Sequence, residues 1–335
     1  MEKSLFITRV FINSEDELRS GWRVLAFVCS ACVLVVLIQS IVATVGVLIP
    51  GLRPLLIEPG TAEGASPRAI GNFLYQYGST AAALIIASAL CARYLERRTL
   101  ASVLFKLHRG WLRDLGLGCA LGALSIGSAV ALELAAKTVA LKARGFDTKH
   151  IVFGFVLLSI MFLIAAAVEE MVFRGFLFQA LVHNIGPAGS VVITSALFGL
   201  AHLNNPDRTI FSTVNTMLAG VWLSAAYLKT RSLWFPTALH YSWNFAMAFF
   251  FGLPVSGITK WNELAPITGS GGLPAWISGG VYGPEGGIAA SLAIVLSIAV
   301  IWKSGLFSVS EEMSEAIKHG RPEPRFQSIL PDQTR

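Results

Sequence analysis

The sequence predicts an all-α, polytopic integral membrane protein with about eight transmembrane helices. Three observations predict it. Of 335 residues, 54% are hydrophobic and only 14% are charged, whereas soluble domains carry roughly 25% charged residues. The mean hydropathy is +0.64. Several apolar runs also reach the roughly 20 residues that a helix needs to cross a bilayer.

The elements follow in order. Residues 1–22, MEKSLFITRVFINSEDELRSGW, lack the order of basic residues, apolar core and small-residue cleavage site that marks a signal peptide. They read as a juxtamembrane arm before an uncleaved first span at 23–49. A Pro/Gly-containing loop beginning PGLRPLL leads to a second span at 71–92. A third, at 115–141, contains Glu133, whose expected partner is Lys137 four residues on. These three helices and their loops make up 23–150. The next section, 151–251, holds a fourth span reaching 180, a short fifth at 189–203, a sixth at 211–228 and a seventh at 233–251. A Gly/Pro-rich loop at 252–285 and an eighth span at 286–302 make up 252–302. The polar tail 303–335, with GRPEPRFQSILPDQTR in it, reads as disordered.

Basic residues orient the array. The loop 93–113 holds Arg93, Arg97, Arg98, Lys106, Arg109 and Arg113 and is expected in the cytoplasm. Eight spans then place both termini on the cytoplasmic side of a cell membrane, plasma or inner. The short loop with Lys229 and Arg231 falls inside as well, and 252–285, with its single Lys260, falls outside. The basic residues are spread over loops with no aromatic platform among them, which argues against a nucleic-acid partner. Cys29, Cys32, Cys91 and Cys119 lie in or beside apolar runs and read as small buried hydrophobes, not disulfide partners.

One segment departs from the apolar background: AAAVEEMVFRGFLFQ, residues 165–179. Carboxylates within a membrane are costly and mark function. Glu170 and Arg174 are four apart, so on a helix they share a face and pair. Glu169 points about 100° away and must face something else. Candidates come from FGLAH, with Phe198 and His202 four apart, and from HYSWN, with His240 and Asn244 four apart. The other histidines, His108, His150, His183 and His319, lack such a setting.

The chemistry these residue types support is hydrolysis by activated water. A carboxylate takes a proton from water, and imidazoles hold that water or ligate a metal that lowers its pKa. An asparagine amide donates to a developing oxyanion. No HExxH or GxSxG motif is present, and all five aspartates fall in loops or tails, which argues against a two-aspartate intramembrane protease.

With EEMVFR, FGLAH and HYSWN in this order, residues 151–251 resemble the CPBP family (CAAX-processing and bacteriocin-processing, or Abi) of intramembrane metalloproteases. The resemblance implies a four-helix catalytic core whose motif residues face an interior cavity. It implies that Glu169 is the general base, that Glu169 and His202 hold the water, and that His240 and Asn244 face the oxyanion. Arg174 would order the acidic pair, with Glu170 as part of the site. It also implies a metal, for which zinc bound by Glu169, His202 and His240 is expected. The expected partners are the bilayer and a membrane-associated or lipid-modified peptide substrate. Two further readings stand beside this one. They are a non-catalytic membrane adaptor or bacteriocin-immunity protein on the same fold, and a small-molecule transporter.

Overall fold

The computed structural model describes residues 10–12, 18–49, 51–52 and 66–318. Among them, eight helices of twelve residues or more follow in order: α1 Ser20–Leu48, α2 Pro67–Leu95, α3 Trp111–Ala135, α4 Thr148–Phe173, α5 Phe176–Ala201, α6 Ile210–Thr230, α7 Trp234–Phe245 and α8 Ile288–Lys303. A ninth, α9 Glu311–Lys318, is short. Four stretches are long and apolar enough to cross a membrane: Ser20–Leu48, Pro67–Leu95, Trp111–Ala135 and the nearly continuous Thr148–Ala201. The chain is therefore an integral membrane protein of several crossings.

The helix starts are written into the sequence. Ser66 accepts a hydrogen bond from the Ala69 amide ahead of Pro67 at the first helical position, and Asp147 accepts one from the His150 amide. Thr209 and Ser212 cap each other's backbone at the head of α6. Each arrangement satisfies amides that a helix start leaves open.

Five expectations are corrected. The acidic segment 165–179 is not one helix. It breaks at Arg174–Gly175, where a Cβ on Gly175 would overlap the Met171 carbonyl. The fifth span at 189–203 is the second half of the longer α5, which kinks at Gly186 (φ 75°) and Pro187. The third span stops at Ala135, and Val139–Ala143 becomes strand β1, paired antiparallel with β2, Ile267–Gly271. The Glu133–Lys137 pair does not form, because the helix has ended before Lys137, which is exposed with φ 57°. Glu133 is fully buried, and neither of its carboxyl oxygens has a hydrogen-bond partner among the described residues. In the tail, α9 is ordered and Met313 is buried. The disorder expected of GRPEPRFQSILPDQTR falls on Gly320 and beyond, outside the described residues. So do most of the N-terminal arm and much of the loop that begins PGLRPLL.

Contacts between loops sort the bundle into two ends. At the first end Arg23 pairs with Glu96 at 3.1 Å, and Trp234 donates to the Lys106 carbonyl at 2.9 Å. There Lys106 also donates to the Glu312 carbonyl at 2.9 Å, and Arg113 to that of Leu306 at 2.9 Å. At the second end β1 pairs with β2, Asn205 donates to the Ser256 carbonyl at 3.0 Å, and Asn215 donates to those of Glu285 and Gly287 at 2.9 Å. The loop 93–113, with Lys229, Arg231 and Lys303, lies at the first end.

Two apolar clusters fill the interior. One gathers α3, α4, α6, α7 and α8 around Trp222, Leu239 and Trp243. The other joins α1 and α2 to the first half of α5 around Phe27, Phe176 and Phe178. Helices α3 and α7 meet most closely. A Cβ at Gly122 would overlap both the Ser242 hydroxyl and the Leu239 carbonyl, and one at Gly118 would lie 2.7 Å from the Phe235 carbonyl. Two glycines spaced four apart let these backbones touch, as small residues do in membrane helix pairs.

Candidate active site

The break after α4 positions the first group. Glu170 and Arg174 are both completely buried and are joined at 3.1 Å through Glu170 Oε1 and Arg174 Nη1. The guanidinium also donates to the Gly220 carbonyl of α6 at 2.8 Å and lies 5.0 Å from the Phe198 ring centroid. The i, i+4 pairing expected from the spacing is present. It is also part of something larger, because His240 Nδ1 donates to the same Glu170 oxygen at 3.0 Å. One carboxylate thus ties α4 to α7 while its arginine ties α4 to α6.

Two imidazoles and Glu169 form the second group. His202 Nδ1 lies 2.7 Å from the Phe198 carbonyl. That oxygen only accepts, so Nδ1 carries the proton and the ring presents Nε2 to the cavity. His240 is held the same way by Glu170. Both Nε2 atoms face Glu169 Oε2, at 4.0 Å from His202 and 3.8 Å from His240. These separations exceed a direct hydrogen bond. Glu169 is 25% exposed as a side chain, yet its Oε2 atom is buried without a hydrogen-bond partner. A carboxylate oxygen is thereby aimed between two imidazole nitrogens.

The donor set matches zinc in kind, two imidazole nitrogens and a carboxylate oxygen. Each Nδ1 is also tied to a carbonyl or carboxylate, as in metal-ligating histidines. Among the described residues, however, no three His, Cys, Asp or Glu side chains are gathered closely enough to hold an ion.

These groups line a cavity of about 640 Å³. Asn244 lies on its wall, one turn beyond His240, so all of the motif residues except the buried Glu170 and Arg174 reach it. Aromatic walls come from Phe73, Phe162, Trp222, Trp243 and Trp261.

Residues 151–246 match the Rce1-like family, the type II CAAX prenyl endopeptidases. The matched segment runs from α4 through α7, contains all six motif residues and covers less than a third of the chain. It makes this part CAAX-protease-like, a relation broader than the CPBP resemblance. No curated protein matches the chain, and no solved structure does.

Several cavity residues escaped the sequence reading. Gln76 and Tyr77 come from α2, and Ser256, Lys260 and Glu285 from the loop before α8. Glu285 accepts from Trp243 Nε1 at 3.0 Å, from the Ser256 amide at 2.7 Å and from its hydroxyl at 2.6 Å. It thereby clamps the loop to α7 beside Asn244. Burial pushes the Lys260 ammonium below its ordinary pKa, and it stacks 4.7 Å from the Trp261 ring centroid. No local spacing signals these residues. The one available cue was that a long Gly/Pro-rich loop follows directly on the helix that carries His240 and Asn244.

Proposed function

We propose that the chain is an intramembrane endopeptidase of the CPBP kind, with eight crossings and both termini cytoplasmic. It hydrolyses a peptide bond of a membrane-associated or lipid-modified peptide. The observation that carries this reading is Glu169 Oε2, buried, unpartnered and aimed between two imidazole Nε2 atoms. A structural ion pair has no need of that arrangement, and Arg174 is already engaged by Glu170. The CAAX-protease-like segment supports the same reaction class.

The side chains suffice to write the reaction. Glu169 takes a proton from water as the water oxygen bonds to the scissile carbonyl carbon. His202, with its Nδ1 proton given to the Phe198 carbonyl, offers the Nε2 lone pair to the second water hydrogen. Charge moves to the substrate carbonyl oxygen, which accepts from the Asn244 amide, and from His240 Nε2 once that ring carries a proton on both nitrogens. Glu169 then returns its proton to the leaving nitrogen as the C–N bond breaks. Glu170 and Arg174 hold His240 and α4 in place without touching the reacting atoms. Zinc is part of the proposal: Glu169, His202 and His240 would have to draw closer than they stand here to hold it, and when bound it would supply Lewis acidity and lower the pKa of its water.

Purified protein in detergent, incubated with a library of membrane peptides in ¹⁸O-labelled water, tests the proposal. Mass spectrometry is expected to find new peptide C-termini carrying the label. The Glu169→Ala preparation should yield none. Products formed equally by both preparations would sink the mechanism, and no product across a broad library would favour a non-catalytic role.

A further inference from the structure

The loops that line the cavity all come from one end of the bundle. Its upper wall is built from Asn205 after α5 and from Ser256, Ile258 and Lys260 of the loop before α8, with the first turns of α2 and the middle of α6 beside them. Ile258 and Lys260 are exposed while lining it, so the cavity meets solvent there. No residue of 93–113, 229–235 or 303–318 lines it. Beneath Glu169 the site is closed by the fully buried Glu170–Arg174 pair. Below that lies the cluster of Leu104, Met171, Phe176, Phe178, Tyr227 and Leu233, which packs against the first-end loops.

Basic residues tell the two ends apart. Among the described residues the first end carries Arg19, Arg23, Lys229, Arg231 and Lys303 besides the six between 93 and 113. The second end carries fewer: Arg68, Lys137, Lys142, Arg144, Lys149, Arg208 and Lys260. Lysine and arginine near span ends favour the cytoplasmic side.

From this geometry we infer that the cavity takes its substrate from the non-cytoplasmic face. The substrate class is then an exported peptide, extended and apolar where it is cut, lying at the outer surface or anchored in the outer leaflet. The inference rests on the hydrolytic reading for the word substrate, and on geometry and charge for the side. The aromatic walls receive apolar side chains. Lys260 is the one lysine or arginine lining the cavity among the described residues, and it places a positive charge at the mouth, where an acidic or C-terminal carboxylate group of such a peptide would lie.

The test uses the full chain in sealed membrane vesicles of both orientations. The probe is a mixture of synthetic apolar peptides, each with a charged, membrane-impermeant fluorophore, added outside. A second arm places a single cysteine at Lys260, in a chain lacking its four native cysteines, and labels it with an impermeant maleimide. Cleavage by right-side-out vesicles alone, with label at position 260 in that orientation alone, is the expected result. Cleavage by inverted vesicles alone, or by both kinds while sealed, would overturn the inference. If detergent-opened vesicles also fail to cleave, the hydrolytic reading falls. The labelling arm still decides the side: label from outside alone upholds an outward-facing cavity, and label from inside overturns it.

Discussion

Glu170 and Arg174 show how one spacing can be read correctly and still understated. The four-residue interval predicts the ion pair, and the structure has it at 3.1 Å with both side chains fully buried. The interval is silent on His240, seventy residues away, which donates to the same oxygen. That contact is tertiary and leaves no local trace. Glu169 was legible only by elimination, as the acid that Arg174 does not serve. Its nearness to two imidazoles had to come from coordinates. The structure gives the two acids different surroundings, and under the proposed mechanism their tasks separate by mutation. Arg174→Ala leaves a buried carboxylate with His240 alone, and breaking a buried pair in this way costs about 3–5 kcal/mol. It should lower abundance and heat resistance in detergent, as should Glu170→Gln. Glu169→Gln should unfold at the wild-type temperature while losing activity. Thermal unfolding of the purified variants checks this, and a destabilised Glu169→Gln beside a silent Glu170→Gln would reverse the assignment.

At the scale of elements, most helices were visible as apolar runs, and what interrupts them was not. The run through 151–180 hides a break at Gly175, because its neighbours stay apolar on both sides and the glycine is needed for a close approach to Met171. The first three residues of strand β1, 139–141, were absorbed into a span because its partner β2 is more than a hundred residues away. Helix α7 carries His240 and Asn244, and its position depends on α3. Replacing Gly122 by Ala would drive a Cβ into Ser242 and the Leu239 carbonyl. Overpacking of this kind costs about 1–3 kcal/mol. The variant should melt earlier, and kcat should fall because α7 moves with its two site residues. Glu285 holds the loop to α7 through three hydrogen bonds. Bonds to a charged group contribute about 1.5–3 kcal/mol each when one is lost. Glu285→Gln should therefore raise KM more than it lowers kcat, since the loop shapes the cavity and lies apart from the reacting atoms. Steady-state kinetics on a peptide identified as a substrate would separate the two.

For the whole molecule, the membrane character, the order of the helices and the six motif residues were legible in the sequence. The division into two ends was not, since it depends on which loops touch. It matters for function because the cavity belongs to one end and the densest basic loop to the other. Metal dependence also belongs at this scale, since the donors come from α4, α5 and α7. Under the zinc proposal a strong chelator should abolish activity and added zinc should restore it. Full activity after exhaustive chelation, with no zinc detected by elemental analysis, would leave the side chains and water alone to do the chemistry.

The central claim is that Glu169 activates the water. The most direct measurement compares kcat/KM for the wild type, Glu169→Gln and Asn244→Ala, purified alike and shown by thermal unfolding to be folded. Loss of one oxyanion donor costs about 3 kcal/mol, roughly a hundredfold or more in rate. Asn244→Ala is therefore predicted to keep a small measurable activity while Glu169→Gln falls to background. Cleavage by folded, contaminant-free Glu169→Gln at a rate equal to or above that of Asn244→Ala would contradict the account.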